Sequence, residues 1–415
     1  MMYRLVSAIG LLAMIGVAVL LSSNRRRIDW KLVGIAVGLQ LLFGVLILNT
    51  VPGQLLFEQL GKVVSALLLC VNAGSEFLFG VRVNPQDPKA SYMLIRSVAF
   101  GVLPTIIFFS SLMAILYHYG VMQKLVSSLA WVMQRTLKTS GAESLAAATN
   151  VFVGHTEAPL VIRPYISNLT ISELNAVMVG GFATISGGLL AVYAGLGIDP
   201  GHLLTASVIS APAGLLIAKI LQPETEQPET TGSIKVDIPR QGVNVIEAAA
   251  IGASDGLKLA LNVGAMLIAF LALMHMMDAF IGWVGMQLGQ NDWSLATALG
   301  YSFWPFAFLM GIPANECLAA GELLGLKTFM NEFVAFEQFG TWMKEESPRL
   351  SLRSQAIMTY ALSGFANFGA IGIQIGGIGG IAPDRRSDIA RLGLRAMIGG
   401  AIACSMTACI AGILL

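Results

Sequence analysis

Charged side chains are scarce in this chain. Only 12% of its 415 residues are Asp, Glu, Lys or Arg, whereas 55% are hydrophobic, and the mean hydropathy is +0.74. Soluble proteins carry about a quarter charged residues, so the composition predicts an integral membrane protein. The net charge of +1 does not favour a nucleic-acid partner, because such proteins present a strongly basic surface.

Cysteine is also rare, and the four cysteines form no C-x-x-C pair. We therefore expect neither a disulfide framework nor a zinc site. One catalytic pattern, G-x-S-x-G at residues 252–256, stands in an apolar helical context rather than at a strand-to-helix turn, which indicates a helix contact rather than an enzyme. The glycine-rich residues 376–380 lack the strand and the Lys-Ser/Thr of a phosphate loop, so no organic cofactor is predicted.

The densest polar pattern is NVFVGHTEAPLVIRPY at residues 150–165, within an apolar region. Pro159 suits the first turn of a helix, where its missing N–H costs no hydrogen bond. Glu157 precedes it, where a carboxylate favours the positive end of the helix dipole. The pattern predicts two helices of about ten residues each, half the roughly twenty that a spanning helix needs. We therefore expect a re-entrant hairpin with its tip at membrane depth.

This arrangement occurs twice. Each hairpin pattern is followed by an apolar segment that a Gly-Phe-Ala sequence interrupts. The matching stretches are ESLAAA and ECLAAG at residues 143–148 and 316–321, TEAPL and NEFVA at 156–160 and 331–335, and GFATISG and GFANFGA at 181–187 and 364–370. Paired, interrupted apolar segments are the best sequence pointer to the binding site of a secondary transporter.

The hydropathy pattern predicts an all-α integral membrane protein with about eight transmembrane helices, two re-entrant hairpins, interfacial helices at residues 54–80 and 122–138, and interrupted helices. We divide the chain into four parts. These are N-terminal scaffold spans and interfacial helices (1–140), a first transport repeat with hairpin, broken helix and span (141–222), a cytoplasmic loop with an interfacial helix (245–258) and a scaffold span (223–293), and a second transport repeat (294–415).

The orientation of the repeats follows from parity. An odd number of spans separates the two hairpin tips in this division, so the second repeat is predicted to be inverted relative to the first. Arg25, Arg26 and Arg27 follow the first span and indicate a cytoplasmic first loop. Because the positive residues follow this span instead of preceding it, we expect a retained helix rather than a signal peptide.

Two carboxylates carry the functional prediction. Glu157 and Glu332 stand at the two hairpin tips, where a charge costs about 2.5–3.5 kcal/mol on insertion scales. The functional interpretation is direct hydrogen bonding to a polar substrate; the alternative is a carboxylate that caps the hairpin. Asn150 and Thr184 offer neutral oxygens near interrupted backbone, which suits Na⁺, although such residues also join packed membrane helices.

At these motifs the chain resembles the concentrative nucleoside transporters, especially the bacterial sodium-coupled members. The family patterns stand here as GHTEAPL at residues 154–160, NEFVA at 331–335 and GFANF at 364–368, and the resemblance covers essentially the whole chain. It implies a multi-pass protein of the bacterial inner membrane, in contact with lipid and assembled as a homotrimer. Each subunit would move a transport domain past a scaffold.

The resemblance also implies residue roles. The nucleobase would be bound at the tip that Gly154 opens, by His155, Thr156, Glu157 and Leu189. Ribose would be bound by Glu332 and Asn367, with Phe365 beside the sugar and base. One Na⁺ would be bound by Asn150, the Val153 carbonyl, Thr184 and the Ile185 carbonyl. Three positions depart from the family: His155 replaces a glutamine, Ala370 stands where close relatives carry serine, and Gly101 stands where relatives have arginine.

The sequence thus predicts a symporter that imports nucleosides with Na⁺ by alternating access. The nearest alternative uses protons, with Glu157, Glu332 or His155 as the carrier. A channel or a membrane-embedded enzyme is the other class left open.

Overall fold

The chain is helical along most of its length. The computed structural model describes residues 2–82, 92–94, 99–100, 103–155, 157–230, 242–289 and 293–415. One detail departs from the all-α prediction, because β1 (Gly80–Arg82) and β2 (Tyr92–Leu94) pair as short antiparallel strands. The described residues contain seven helices long and apolar enough to cross a membrane, or eight if one bent pair counts as a span.

Five helices form the N-terminal part. They are α1 (Met2–Leu20), α2 (Trp30–Gly44, continued by a π-helix over Val45–Asn49), α3 (Val51–Phe79), α4 (Leu103–His118) and α5 (Val121–Leu137). α4 and α5 are the bent pair, with 78° between them, and Gly120 supplies the left-handed φ of 75° at the corner. α5 buries one face only, as the amphipathic pattern predicts.

A proline–glycine pair marks the junction between α2 and α3. Pro52 and Gly53 lie in the first turn of α3, where proline is favoured. The Thr50 hydroxyl caps this helix by accepting from the Gly53 N–H at 3.2 Å. By length and composition α3 could cross a membrane, and its interfacial position stays a prediction.

The first repeat follows in the predicted order. It comprises α6 (Gly141–Asn150), α7 (Ala158–Val161), a 3-10 helix (Arg163–Asn168), α8 (Ile171–Ala183), α9 (Gly187–Gly195) and α10 (Pro200–Leu221). The predicted length of the return arm is wrong, because α7 has only four residues before the 3-10 helix begins. The ring of Pro164 excludes a continued α-helix, in which it would clash with the carbonyl four residues earlier.

One long helix joins the repeats. The predicted interfacial helix and the following scaffold span are a single element, α11 (Val245–Gln287), of 43 residues. The predicted loop before it includes residues 231–241, which lie outside the described residues. Residues 252–256 lie within α11, and ideal Cβ atoms at Gly252 and Gly256 would come within 2.5 Å and 2.7 Å of α4 backbone atoms. These glycines therefore let two helices pack closely.

The second repeat copies the first with one more helix in its predicted hairpin region. Its elements are α12 (Leu295–Leu309), α13 (Cys317–Phe329), α14 (Glu332–Trp342), α15 (Leu352–Leu362), α16 (Phe368–Ile381) and α17 (Arg386–Leu414). The hairpin proper is α13 and α14. α12 packs along α13, and α5, which precedes the first repeat, packs along α6. In both halves of the chain a helix is therefore followed by a hairpin, a broken helix and a long helix.

The breaks of the two interrupted helices lie side by side in the core. An ideal Cβ at Gly364 would lie 2.7 Å from the Phe182 carbonyl oxygen. The Cys404 Sγ lies 3.6 Å from the carbonyl oxygens of both Ala183 and Ser363. Only a glycine permits this separation between the two backbones.

Buried polar contacts fix one end of the first repeat. The Glu143 side chain closes a capping box with Ser140 at the start of α6. Lys219, in the last turn of α10, forms a buried ion pair with Glu143 at 2.7 Å and a second pair with Glu224 at 3.2 Å. The hairpin and the long helix of this repeat are therefore joined by charge as well as by packing.

Candidate functional site

A cavity of 580 Å³ lies between the two hairpin tips and α11. The predicted substrate-binding residues among its lining are Gly154, His155, Glu157, Leu189, Glu332, Phe365 and Asn367. They come from both tips and from both broken helices. Thr156 lies outside the described residues.

The first tip contributes His155 and Glu157. An ideal Cβ at Gly154 would lie 2.5 Å from Glu157 Oε2, so glycine is needed for this carboxylate to fold against the tip. The His155 ring is buried, and it packs edge-on against Phe365 with ring centroids 4.6 Å apart. Neither ring nitrogen bonds to any residue that the structure describes. A buried imidazole in this state offers one donor and one acceptor.

The second tip holds Glu332 from two sides. The Tyr193 hydroxyl donates to Oε1 at 3.1 Å, and the Asn367 amide donates to Oε2 at 3.0 Å. The Asn367 Oδ1 in turn accepts from the Ala370 N–H at 2.8 Å and caps α16. Glu332 lies at the second hairpin tip, in the first turn of α14, where the helix dipole favours a negative charge.

The predicted sodium residues gather where the first tip meets the first break. The Asn150 side chain is 1% exposed, lies against Gly180, and has no hydrogen-bond partner on either polar atom within the described chain. The Thr184 hydroxyl is also buried and donates to the Gly180 carbonyl at 3.0 Å. The Phe152 carbonyl accepts from the Gly187 N–H at 3.0 Å, which joins the tip to the break.

This donor set fits a monovalent cation. The Val153 and Ile185 carbonyls accept no hydrogen bond from any described residue. Val153 directly follows Phe152 at the tip, and Ile185 directly follows Thr184 at the break. A buried amide without a hydrogen bond costs about 1–3 kcal/mol, so Asn150 is expected to have a partner other than the residues that the structure describes. Neutral oxygens without a carboxylate suit Na⁺ better than a divalent ion.

The sequence did not predict the contribution of α11. Asp255, Lys258 and Asn262 line the cavity from this helix, and Asp255 pairs with Lys258 at 3.5 Å. Charged residues in an apolar helix were the available signal, since they are rare in membranes unless they face a polar region. Tyr193 carried no such signal, because an isolated tyrosine in an apolar segment resembles packing.

A second cavity of 480 Å³ adjoins the first. Both are lined by Gly154, Glu157, Ser186 and Asp255. The second extends from these residues towards Tyr117 of α4. Glu157 therefore stands where two open spaces meet.

Comparison with known proteins identifies the family. Residues 202–412 match the C-terminal part of the family described as Na⁺ dependent nucleoside transporter. The chain belongs to this family. Residues 9–82 match the N-terminal part of the same family, and residues 99–199 match a family described as nucleoside recognition. The predicted family is thus confirmed, and its members are multi-pass membrane transporters rather than enzymes.

Relatives of this family member occur in bacteria and animals. An uncharacterized transporter of Haemophilus influenzae is 44% identical over 98% of this chain and 97% of the relative. Human solute carrier family 28 member 3 is 43% identical over 99% of this chain. The chain spans only 60% of the length of that human relative and of its Eptatretus stoutii counterpart.

Solved structures share the whole fold of this family member. The structure of CNTnw in an inward-facing substrate-bound state has a TM-score of 0.92 and 42% identity, and the match covers 99% of this chain and 98% of that one. A doubly substituted CNTnw in an outward-facing state gives a TM-score of 0.91 at the same identity, covering 100% and 98%. The predicted fold class is confirmed by these likenesses.

Proposed function

We propose that this protein imports nucleosides by symport with Na⁺, through alternating access. The observation that carries the proposal is the cavity between the two tips, where the buried Glu332 carboxyl group, hydrogen-bonded to Asn367, and the His155–Phe365 pair line the same space. A nucleoside has a hydroxyl-rich sugar and a flat aromatic base. Glu332 and Asn367 offer polar partners for the sugar, and the His155–Phe365 pair offers aromatic surface for the base. The names of its relatives, sodium/nucleoside cotransporter 1 among them, agree with this substrate class.

In this proposal the second repeat binds ribose. Glu332 and Asn367 accept and donate hydrogen bonds to sugar hydroxyls, and the Phe365 ring packs beside sugar and base. The first repeat binds the base through His155, Thr156, Glu157 and Leu189.

Asn150, Val153, Thr184 and Ile185 bind the coupled Na⁺. The Asn150 amide has no hydrogen-bond partner among the described residues. This supports the role, since a side chain that only joined helices would be hydrogen-bonded to one of them.

The larger architecture is part of the proposal. The transport repeats are residues 141–222 and 294–415, and residues 1–140 and 223–293 form the scaffold that they move against. The repeats are inverted relative to each other, and the assembly is a homotrimer in a bacterial inner membrane. A hairpin, a broken helix and a long helix follow one another in both ranges, which supports the division into two transport repeats.

Uptake into proteoliposomes tests the function. Purified protein would be given a panel of labelled purine and pyrimidine nucleosides under an imposed Na⁺ gradient, an H⁺ gradient or neither. We expect saturable accumulation that requires inward Na⁺. Accumulation driven by H⁺ alone would show that the coupling ion is H⁺ instead of Na⁺. Equilibration without saturation would indicate a channel. Uptake of no nucleoside would overturn the proposed function.

A further inference from the structure

Tyr193 lies behind the cavity rather than in its wall. It belongs to α9 of the first repeat and is fully buried, with its ring stacked on Phe336 at 4.3 Å and 25°. Its hydroxyl donates to Glu332 Oε1 in the second repeat at 3.1 Å. The stacked ring fixes where the hydroxyl can point, since a buried tyrosine must find an acceptor that its ring position allows.

The hydrogen-bond donors around Glu332 fix the positions of its two carboxylate oxygens. Each oxygen of a carboxylate has two lone-pair directions. Tyr193 occupies one on Oε1 and Asn367 occupies one on Oε2. The carboxylate also takes a hydrogen bond from the Glu332 backbone N–H, and Glu332 lines the cavity. Its two adjacent oxygens are therefore held in one orientation beside the space that a ligand would occupy. Two neighbouring hydroxyls, such as a cis-diol, complement such a pair better than a single hydroxyl does.

We propose that Tyr193 is a positioning residue that acts through Glu332 to select ribonucleosides over 2′- and 3′-deoxynucleosides. The inference rests on the proposed function and extends it to a residue that does not touch substrate. Without the hydroxyl, Oε1 loses its fixed donor and the carboxylate can rotate about its last torsion, which is broad in energy. The two adjacent oxygens are then no longer held in one orientation towards the diol.

Tyr193→Phe removes the hydroxyl and keeps the ring that stacks on Phe336. We expect the half-saturation constant for a ribonucleoside such as uridine to rise by about tenfold, the order of one hydrogen bond to a charged group. The 2′- and 3′-deoxy analogues should change by about twofold or less, because one hydroxyl gains less from a fixed pair of acceptors. The Na⁺ concentration for half-maximal uptake should stay unchanged.

Tyr360→Phe is the matched control. Tyr360 is also buried, and its hydroxyl pairs with His202 Nδ1 at 3.0 Å, away from the cavity lining. This variant should leave the ratio of ribo- to deoxynucleoside uptake as it is. Should Tyr193→Phe fail to insert, Tyr193→Met deletes the same hydroxyl with a side chain that can refill the space.

A double-mutant cycle separates positioning from simple support. In a Glu332→Gln background, Tyr193→Phe should have little further effect on ribonucleoside uptake, since the group it positions is already altered. Equal losses for ribo- and deoxynucleosides, or full additivity in the cycle, would overturn the inference while the proposed function stands. Absence of nucleoside uptake by the native protein would overturn both.

Discussion

The His155 imidazole meets the Phe365 ring edge-on, with centroids 4.6 Å apart and planes at 67°. His155 comes from the tip of the first hairpin and Phe365 from the break of the second interrupted helix. The contact therefore joins the proposed base-binding half of the cavity to the proposed sugar-binding half.

His155→Gln should change which bases are preferred. Glutamine supplies an amide donor and acceptor on one side, whereas neutral imidazole supplies them on opposite sides of a ring. A mismatched buried group costs about 1–3 kcal/mol, so the preference order of purine and pyrimidine nucleosides should shift in competition uptake assays. His275→Gln, on the exposed surface of α11, should leave that order intact. An unchanged order in His155→Gln would mean that the imidazole does not face the base.

Asn150→Ala and Thr184→Ala should each raise the Na⁺ concentration needed for half-maximal transport. Both remove an oxygen ligand from a site that has no charged group to compensate. Titration of uptake against Na⁺ measures the effect. Thr149→Ala is the matched control, since Thr149 is also buried and also donates to a carbonyl four residues earlier, at 2.7 Å, but is not among the proposed ligands. A titration curve that stays unshifted in both test variants, with protein inserted normally, would exclude this sodium site.

Glu332→Gln should weaken ribonucleoside binding by about 1.5–3 kcal/mol, the worth of hydrogen bonds to a charged acceptor. Deoxynucleosides should already bind poorly and lose less. Binding constants for both series, measured by isothermal titration, provide the comparison. Glu337→Gln alters a carboxylate one and a half turns further along α14 and should have no effect on either series. Equal losses in both series would indicate that Glu332 only holds the hairpin together.

Lys219→Met should lower the free energy of unfolding by about 3–5 kcal/mol, because it leaves the buried Glu143 carboxylate without its partner. Adding Glu143→Gln should restore part of that loss, since the uncompensated charge disappears. Thermal denaturation in detergent measures both. Lys62→Met breaks the exposed Lys62–Glu58 pair and should cost about 1 kcal/mol or less. A loss in Lys219→Met no larger than this would show that the buried pair contributes little.

The hairpin tips and helix breaks could be predicted because polar residues and glycines interrupt long apolar runs. Such interruptions are costly in a membrane unless the protein uses them. Glu332 and Asn367 line the cavity, and Asn150 lies beside the break, as these interruptions indicated. The motif at residues 252–256 was interpreted as a helix contact, and its packing against α4 agrees.

Other features depend on contacts that the sequence does not display. The Tyr193–Glu332 hydrogen bond joins residues 139 positions apart, and no local pattern encodes it. The first turns of α11 look amphipathic, which indicated a separate interfacial helix. No proline separates those turns from the apolar span, and the two form one continuous helix. The short return arm of the first hairpin was missed because Pro164 was not treated as a helix terminator.

The contact between Gly364 and the Phe182 carbonyl has a consequence for energy transduction. A transporter wastes its gradient if the ion can cross without its cargo. The two breaks lie against each other through backbone atoms and through the buried Cys404 side chain, whose Sγ lies 3.6 Å from the Ala183 and Ser363 carbonyl oxygens. Protein interiors transmit strain because they are close-packed. A displacement of the break beside Asn150 therefore displaces the break beside Asn367. In the proposed transport cycle, the substrate site and the ion site are therefore expected to move together. Uncoupled leakage of the ion would be limited by this packing rather than by a separate gate.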